Sequence, residues 1–380
     1  MKIVIAPDSF KESLSAMEVA AAIAEGWQKV LPNTECLCIP MADGGEGTVQ
    51  SLIDATAGHP HSIEVTAPLG NKVRAEFGIS GDGKTAIIEM AAASGLHLVP
   101  MEARNPLITT SYGTGELIKA ALDQGVSKII LGIGGSATND AGAGMLQALG
   151  ALFFDQDGLP IGFGGGALAE TAYTDFSKLD PRLQHVEFEV ACDVNNPLCG
   201  EKGASAVFGP QKGANPEMVQ ELDQALHHFA TIIQQQHNLD IRHHAGAGAA
   251  GGMGGGLLTL PNVTLKAGVQ IVIEAVNLAE AVRDADLVIT GEGRMDAQSA
   301  HGKAPIGVAG VAKQFGKPVI AIVGCLREDY EVVYQHGIDA VFPIIRQLGT
   351  LETVLANGHY NLISAAQNIA KLYQMNQRPS

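Results

Sequence analysis

Six short apolar runs constrain this chain more than any other feature. They fall at 3–6, 36–41, 128–133, 287–290, 319–323 and 340–345. Each is too short for a helix and lacks polar alternation, the signature of a parallel strand buried on both faces. At least four run into a glycine or acidic loop and then into a helical pattern. Ser15 and Glu18 form a capping box ahead of Val19, Ala22, Ile23 and Trp27. Further helices are expected from Thr48, with Leu52 and Ile53 buried, after Asn139 and after Lys303. This strand–loop–helix grammar predicts an α/β protein on a Rossmann-like, mostly parallel, doubly wound sheet.

Between these runs the texture changes. Residues 62–79 alternate apolar and polar side chains, as in a half-exposed antiparallel strand. Residues 151–269 mix short strands, glycine-rich loops and a long polar helix near 215–237. A second, inserted α/β domain accounts for both stretches. The expected partition is 1–60, 106–150 and 270–380 for the Rossmann-like domain, and 61–105 with 151–269 for the insert. Residues 375–380 read as a loose tail.

A formal net charge of -16 argues against sequence-independent nucleic-acid binding, which needs a basic surface. An acidic chain that handles anions must concentrate its few cations locally. The cysteines, Cys36, Cys38, Cys192, Cys199 and Cys325, are odd in number and form no C-x-x-C pair. That disfavours a disulfide framework or a structural zinc. Cys36 and Cys38 are expected on one core-facing side of a strand. No apolar run is long enough to span a membrane, and the first residues, MKIVIAPDSF, read as a strand rather than a signal peptide. A cytoplasmic location is expected.

Two familiar nucleotide motifs are present, and both read as decoys. Residues 78–85, GISGDGKT, satisfy the P-loop pattern, but alternation precedes them and Asp82-Gly83 is a hairpin dipeptide. A hairpin is expected there, with Lys84 at its turn. Residues 132–137, GIGGSA, fit G-x-G-x-x-A, with Asp155 about twenty residues on, where a ribose-binding acid would sit. This leaves a dehydrogenase as the rival. The polar continuation Ser136, Thr138, Asn139 and Asp140 suits hydroxyl or phosphate contacts better. His227, His228, His237, His243 and His244 show no H-E-x-x-H spacing and read as solvated. No G-x-S-x-G elbow places a serine nucleophile.

Four polar loops at expected strand ends carry more information: 6–13 (APDSFKES), 42–48 (ADGGEGT), 134–140 (GGSATND) and 291–296 (GEGRMD). In an open α/β sheet such loops line the ligand crevice. Their acids can hold Mg²⁺, and their Lys and Arg can neutralise a transferring phosphoryl group. Residues 246–256, GAGAAGGMGGG, offer a backbone able to wrap phosphates or to hinge. Residues 208–214, FGPQKGA, set Lys212 between glycines. In 191–197, Asp193 ends an apolar run and is a candidate general base, or the acid of an Asx-turn.

Several segments match one family. They are APDSFKESL at 6–14, PMADGGEGT at 40–48, GIGGSATNDAGAGM at 132–145, ACDVNNPLCG at 191–200, FGPQKGA at 208–214, GAAGGMGGG at 248–256 and ITGEGRMDAQS at 289–299. The chain resembles the type I glycerate kinases, the bacterial glycerate 2-kinase group. One departure is Ala141, where the family often has a second glycine. The resemblance implies ATP and Mg²⁺ as cofactors and D-glycerate as acceptor. It implies 2-phosphoglycerate as product, in glyoxylate, galactarate or glucarate breakdown, and two α/β domains with the active site in the cleft between them.

Loop position and chemistry then suggest roles for an in-line transfer. Gly134, Gly135, Ser136, Thr138, Asn139, Gly251, Gly252 and Gly254 are expected to hold the nucleotide. Asp43, Glu46, Glu292 and Asp296 are expected near the metal. Lys11, Asp193, Asp8 and Arg294 are the catalytic candidates, with Ser9, Phe10 and Lys212 toward substrate. The partner expected is the small molecule, with no nucleic acid or membrane; a homodimer stays open. The rivals are an NAD-dependent dehydrogenase of a small hydroxy acid and a non-catalytic metabolite-binding regulator.

Overall fold

The computed structural model describes residues 1–45, 47–300 and 302–376. It contains two compact units: Met1–Asp43, Gln50–Thr56 and Val269–Ser380 form the first, and Gly44–Val49 with Ala57–Gly268 the second.

The first unit is built on a five-stranded parallel sheet. Its order is Ala340–Pro343, Val319–Val323, Leu287–Thr290, Lys2–Ile5, Glu35–Cys38. Counted within the unit, that is order 2-1-3-4-5, a doubly wound topology. Ile3, Ile5, Leu287 and Ile289 pack beneath helices Ala16–Gln28 and Gly358–Asn376. The alternate residues Val4 and Val288 are fully buried too, so both faces are covered. This double burial is why the central strands read as unbroken apolar runs. Glu35–Cys38 is an edge strand and alternates in exposure. Cys36 and Cys38 both pack toward the core on one side of it, as expected. The Ser15–Glu18 capping box forms and starts the first helix.

The second unit has a six-stranded sheet in the order Val263–Lys266, Glu187–Ala191, Lys128–Gly132, Thr85–Glu89, Lys72–Ile79, His59–Thr66. The first four strands run parallel and the last two antiparallel. Residues 106–150 were expected in the first domain. Instead Lys128–Gly132 pairs with Thr85–Glu89 and Glu187–Ala191, which places this segment in the inserted unit. The expected single strand over 62–79 is a hairpin, turned at Ala67–Asn71 with Gly70 at positive φ. Glu189 is buried between Lys128 and Lys266 on the two neighbouring strands, with Nζ at 2.8 and 2.6 Å.

The polar helix Pro216–His237 is capped by Asn215 and buries Leu222, Leu226, Phe229 and Ile233 along one stripe. Not all its histidines are solvated: His228 hydrogen-bonds the Thr171 carbonyl at 2.6 Å, and His237 stacks on Phe176. Among the described residues no helix is long and apolar enough to cross a membrane.

Candidate active site

In the first unit, the carboxyl ends of Lys2–Ile5 and Leu287–Thr290 mark the point where the strand order reverses. Loops leaving two such strands diverge, and a crevice opens between them. Both loops first continue the parallel pairing. The Asp8 amide donates to Gly291 O at 2.8 Å, and the Thr290 hydroxyl to Ala6 O at 2.8 Å. A Cβ at Gly291 would collide with the Ile322 carbonyl oxygen, so only glycine lets the next strand end approach this closely. Asp8 and Glu292 are thereby set side by side.

This brings four acids and three cations into one neighbourhood. Asp8 is half-buried, and its Oδ1 accepts the Ser9 amide at 2.6 Å. Burial pushes its carboxyl from the ordinary 3.8 up to about 7; the charges of Asp43 and then Glu292 add to this, while Lys11 opposes it. Burial also pushes the Glu292 carboxyl up, and Ser299 and Lys303 offset this only in part. Lys303 Nζ lies 3.6 Å from Glu292 and 3.8 Å from Asp296. Arg294, exposed, reaches Asp296 at 3.5 Å. Lys11 stays exposed on the same loop as Asp8. Phe10 does not face a ligand: it is 4% exposed and joins the core, anchoring the tight turn Phe10–Leu14. Lys303 was not anticipated as a site residue. Its signal was a lysine just ahead of a proline-started helix, Ala304–Gln314, in a loop at a strand end.

Glu46 lies outside the described residues. Among those described, no group of three or more His, Cys, Asp or Glu can hold a metal ion by itself. Asp43, Glu292 and Asp296, the three of the expected metal acids that are described, therefore do not form a closed protein cage. Mg²⁺ does not need one, since one or two carboxylates, water and substrate phosphates suffice. Glu292 fits that role: its Oε1 is buried with no hydrogen bond of good geometry.

In the second unit, Lys128–Gly132 runs into the loop expected to hold nucleotide. Gly134 and Gly135 are exposed at its tip, and a Cβ on Gly134 would meet open space. The polar side chains at 138–140 turn inward. Thr138 and Asn139 are fully buried, and Asn139 Nδ2 donates to Ser205 Oγ at 2.9 Å. Their expected direct contact with nucleotide is not available in this geometry. Asp140 accepts from the Ser111 amide and hydroxyl at 2.9 and 2.7 Å, and from the Gly142 and Gly144 amides at 3.2 and 3.3 Å. Burial pushes its carboxyl up against these donors. The four donors favour the ionised form and so oppose that push. Ala141 adopts φ 52, the left-handed region, where glycine is the residue of least strain.

Lys212 was expected to face substrate. It is buried, and its Nζ donates to Ser136 Oγ at 2.7 Å and Thr138 O at 2.6 Å, supporting the loop from beneath. Burial pulls its amine down to about 7, opposed by the nearby Asp140 charge. The glycines of 246–256 are also reassigned. They lie in and around helix Ala249–Leu257, which kinks at Ala250, Gly251 and Gly252. A Cβ at Gly251 would strike Thr138 O, one at Gly254 Gly246 O, and one at Gly252 the Leu198 side chain. These glycines serve close packing inside the unit, not an open phosphate cradle. Asp193 is exposed, and its Oδ1 accepts the Gly268 amide at 2.9 Å.

Both decoy motifs resolve as structural turns. Lys72–Ile79 pairs antiparallel with Thr85–Glu89, and Lys84 stands exposed at the hairpin. Asp155 accepts the Asp157 and Leu159 amides at 2.9 Å in a turn. The strand before it, Leu152–Phe154, belongs to a separate two-stranded sheet and is not beside Lys128–Gly132. The ribose-acid position of a dinucleotide fold is absent there, and the dehydrogenase reading falls with it.

A model of the glycerate kinase family matches residues 3–374. The chain is 69% identical to a glycerate kinase of Haemophilus influenzae over 98% of both chains. It is 56% identical to the glycerate 2-kinase of Escherichia coli K12, covering 100% of this chain and 99% of that one. The crystal structure of a protein described as glycerate kinase 2 from Salmonella typhimurium LT2 superposes with a TM-score of 0.93 at 54% identity, covering 99% of each. With the family model spanning nearly its whole length, the chain belongs to the glycerate kinase family.

Proposed function

We propose that this protein transfers the γ-phosphoryl group of ATP to the 2-hydroxyl of D-glycerate, with Mg²⁺, giving 2-phosphoglycerate. The observation that carries this reading is the crowd of Asp8, Asp43, Glu292 and Asp296 with Lys11, Arg294 and Lys303 at the sheet's switch point. Phosphoryl transfer asks a protein for little covalent chemistry; it asks for positioning and for neutralisation of spreading negative charge. Exposed Lys11 and Arg294 suit the glycerate carboxylate and the transferring group. Asp8 suits the base, because a carboxyl near 7 can take a hydroxyl proton while a large share of it is still ionised at neutral pH. Asp193, bonded to a backbone amide, is the weaker candidate. Glu292 and Asp296, with Asp43, would hold Mg²⁺, which would neutralise charge on the phosphate oxygens. The exposed tip Gly134–Gly135 and the adjoining Ser136 would meet the nucleotide phosphates. Catabolism of glyoxylate, glucarate or galactarate in the cytoplasm is the setting this activity fits.

The test is ADP release from ATP and Mg²⁺ with a panel of small hydroxy acids. Release that depends on D-glycerate and stops with chelator is expected. Release with another acid alone would keep the kinase and remove the substrate; release with none would remove both.

A further inference from the structure

The buried amine of Lys212 is the least explained charge in the second unit. Nothing in burying a lysine is favourable by itself, and each lost hydration bond must be replaced. The replacement here is specific. Two of its protons go to Ser136 Oγ and Thr138 O, at 2.7 and 2.6 Å. Lys212 Nζ is the donor in both contacts, so Ser136 Oγ is the acceptor in that bond. The serine's own hydrogen is then committed away from Lys212. Ser136 keeps 6% of its surface exposed, directly after the open tip Gly134–Gly135.

We propose that Lys212 is a positioning residue for the phosphoryl donor: its bond to Ser136 Oγ fixes the Ser136 hydroxyl as an outward donor to a nucleotide phosphate oxygen. This rests on the reading of the Gly134–Ser136 tip as the nucleotide site. The bond to Thr138 O holds the loop backbone in the same register. Asp140 is the ionisable group whose charge acts on the amine, and the four donors around it favour its ionised form against burial. The buried positive charge lies under a loop meant for an anion, where low dielectric strengthens its pull.

The experiment measures ADP and ATP affinity by calorimetry, and KM for each substrate with kcat, for Ser136→Ala, Lys212→Met, their double variant and Gly134→Leu. Ser136→Ala is expected to weaken nucleotide binding on the order of ten-fold or more, the range of one hydrogen bond to a charged group, with KM for glycerate unchanged. Lys212→Met should weaken it at least as much, and the double variant no more than Lys212→Met alone. Nucleotide affinity unchanged in Ser136→Ala, or single losses that simply add, would overturn the proposal. If Lys212→Met does not fold, Ser136→Ala decides alone by the same criterion. Gly134→Leu separates the two layers, because its side chain meets open space at an ordinary φ. Normal nucleotide binding in Gly134→Leu would sink the loop reading and this proposal together. A loss there with an unaffected Ser136→Ala would sink the proposal alone.

Discussion

Replacing Asp8 with asparagine should make the protein more stable and nearly inactive. Asp8 sits where burial, Asp43 and Glu292 all disfavour its charge, so its carboxyl moves from 3.8 to about 7. Between those values the native state binds a proton that the unfolded state has released. Stability then falls as pH rises through this window, and the full penalty is present above about 7. At roughly 1.4 kcal/mol per tenfold change in proton affinity, the penalty is at most about 4 kcal/mol. The substituted amide carries no charge at any pH, and its carbonyl can still accept the Ser9 amide. Asp8→Asn should match the parent near pH 4 and exceed it near pH 8, by up to about 4 kcal/mol. Chemical unfolding of both proteins across that range reads the difference directly. Turnover should drop by roughly 10²–10⁴, the usual worth of a general base. A variant that is equally stable or less stable near pH 8, with no trend in the difference, would refute the electrostatic reasoning. A stabilised variant with normal turnover would leave that reasoning standing and remove Asp8 as the base.

Lys11→Ala should cut turnover by orders of magnitude in the same ADP assay if this exposed cation in the Asp8 loop neutralises a reacting anion, as proposed. Lys84→Ala should leave all kinetic constants within about two-fold, since it removes an exposed hairpin side chain whose loss is worth under about 0.5 kcal/mol. Ala141→Gly should raise the unfolding free energy by roughly 0.5–1 kcal/mol, because φ 52 suits glycine better than alanine. Gly251→Ala should lower it by more than that, since the added Cβ meets Thr138 O at a backbone already at φ 69.

What was legible in the sequence was what local pattern decides. The capping box at Ser15 and the Asp82-Gly83 hairpin each rest on a few neighbouring residues. The polar loops at strand ends were legible because strand, loop and helix follow one another along the chain. Sheet membership was not: the run at 128–133 is as apolar as the strands of the other unit, and its partners lie far away in sequence. The glycines at 251, 252 and 254 misled because close approach to a ligand and close approach to another backbone demand the same residue. Lys212 and Phe10 misled for a related reason. Both sit in polar, ligand-like segments, and only tertiary packing decides that the amine and the ring point inward. Lys303 escaped notice because a residue ahead of a helix reads as a cap, and its reach to Glu292 and Asp296 is set by the fold.

Phosphorus NMR of the product formed from ATP, Mg²⁺ and D-glycerate tests the central claim most directly. A new phosphate ester split by one proton is predicted, the signature of phosphate on the secondary carbon of 2-phosphoglycerate. A signal split by two protons would contradict the assigned hydroxyl, and no glycerate-dependent ester at all would contradict the activity.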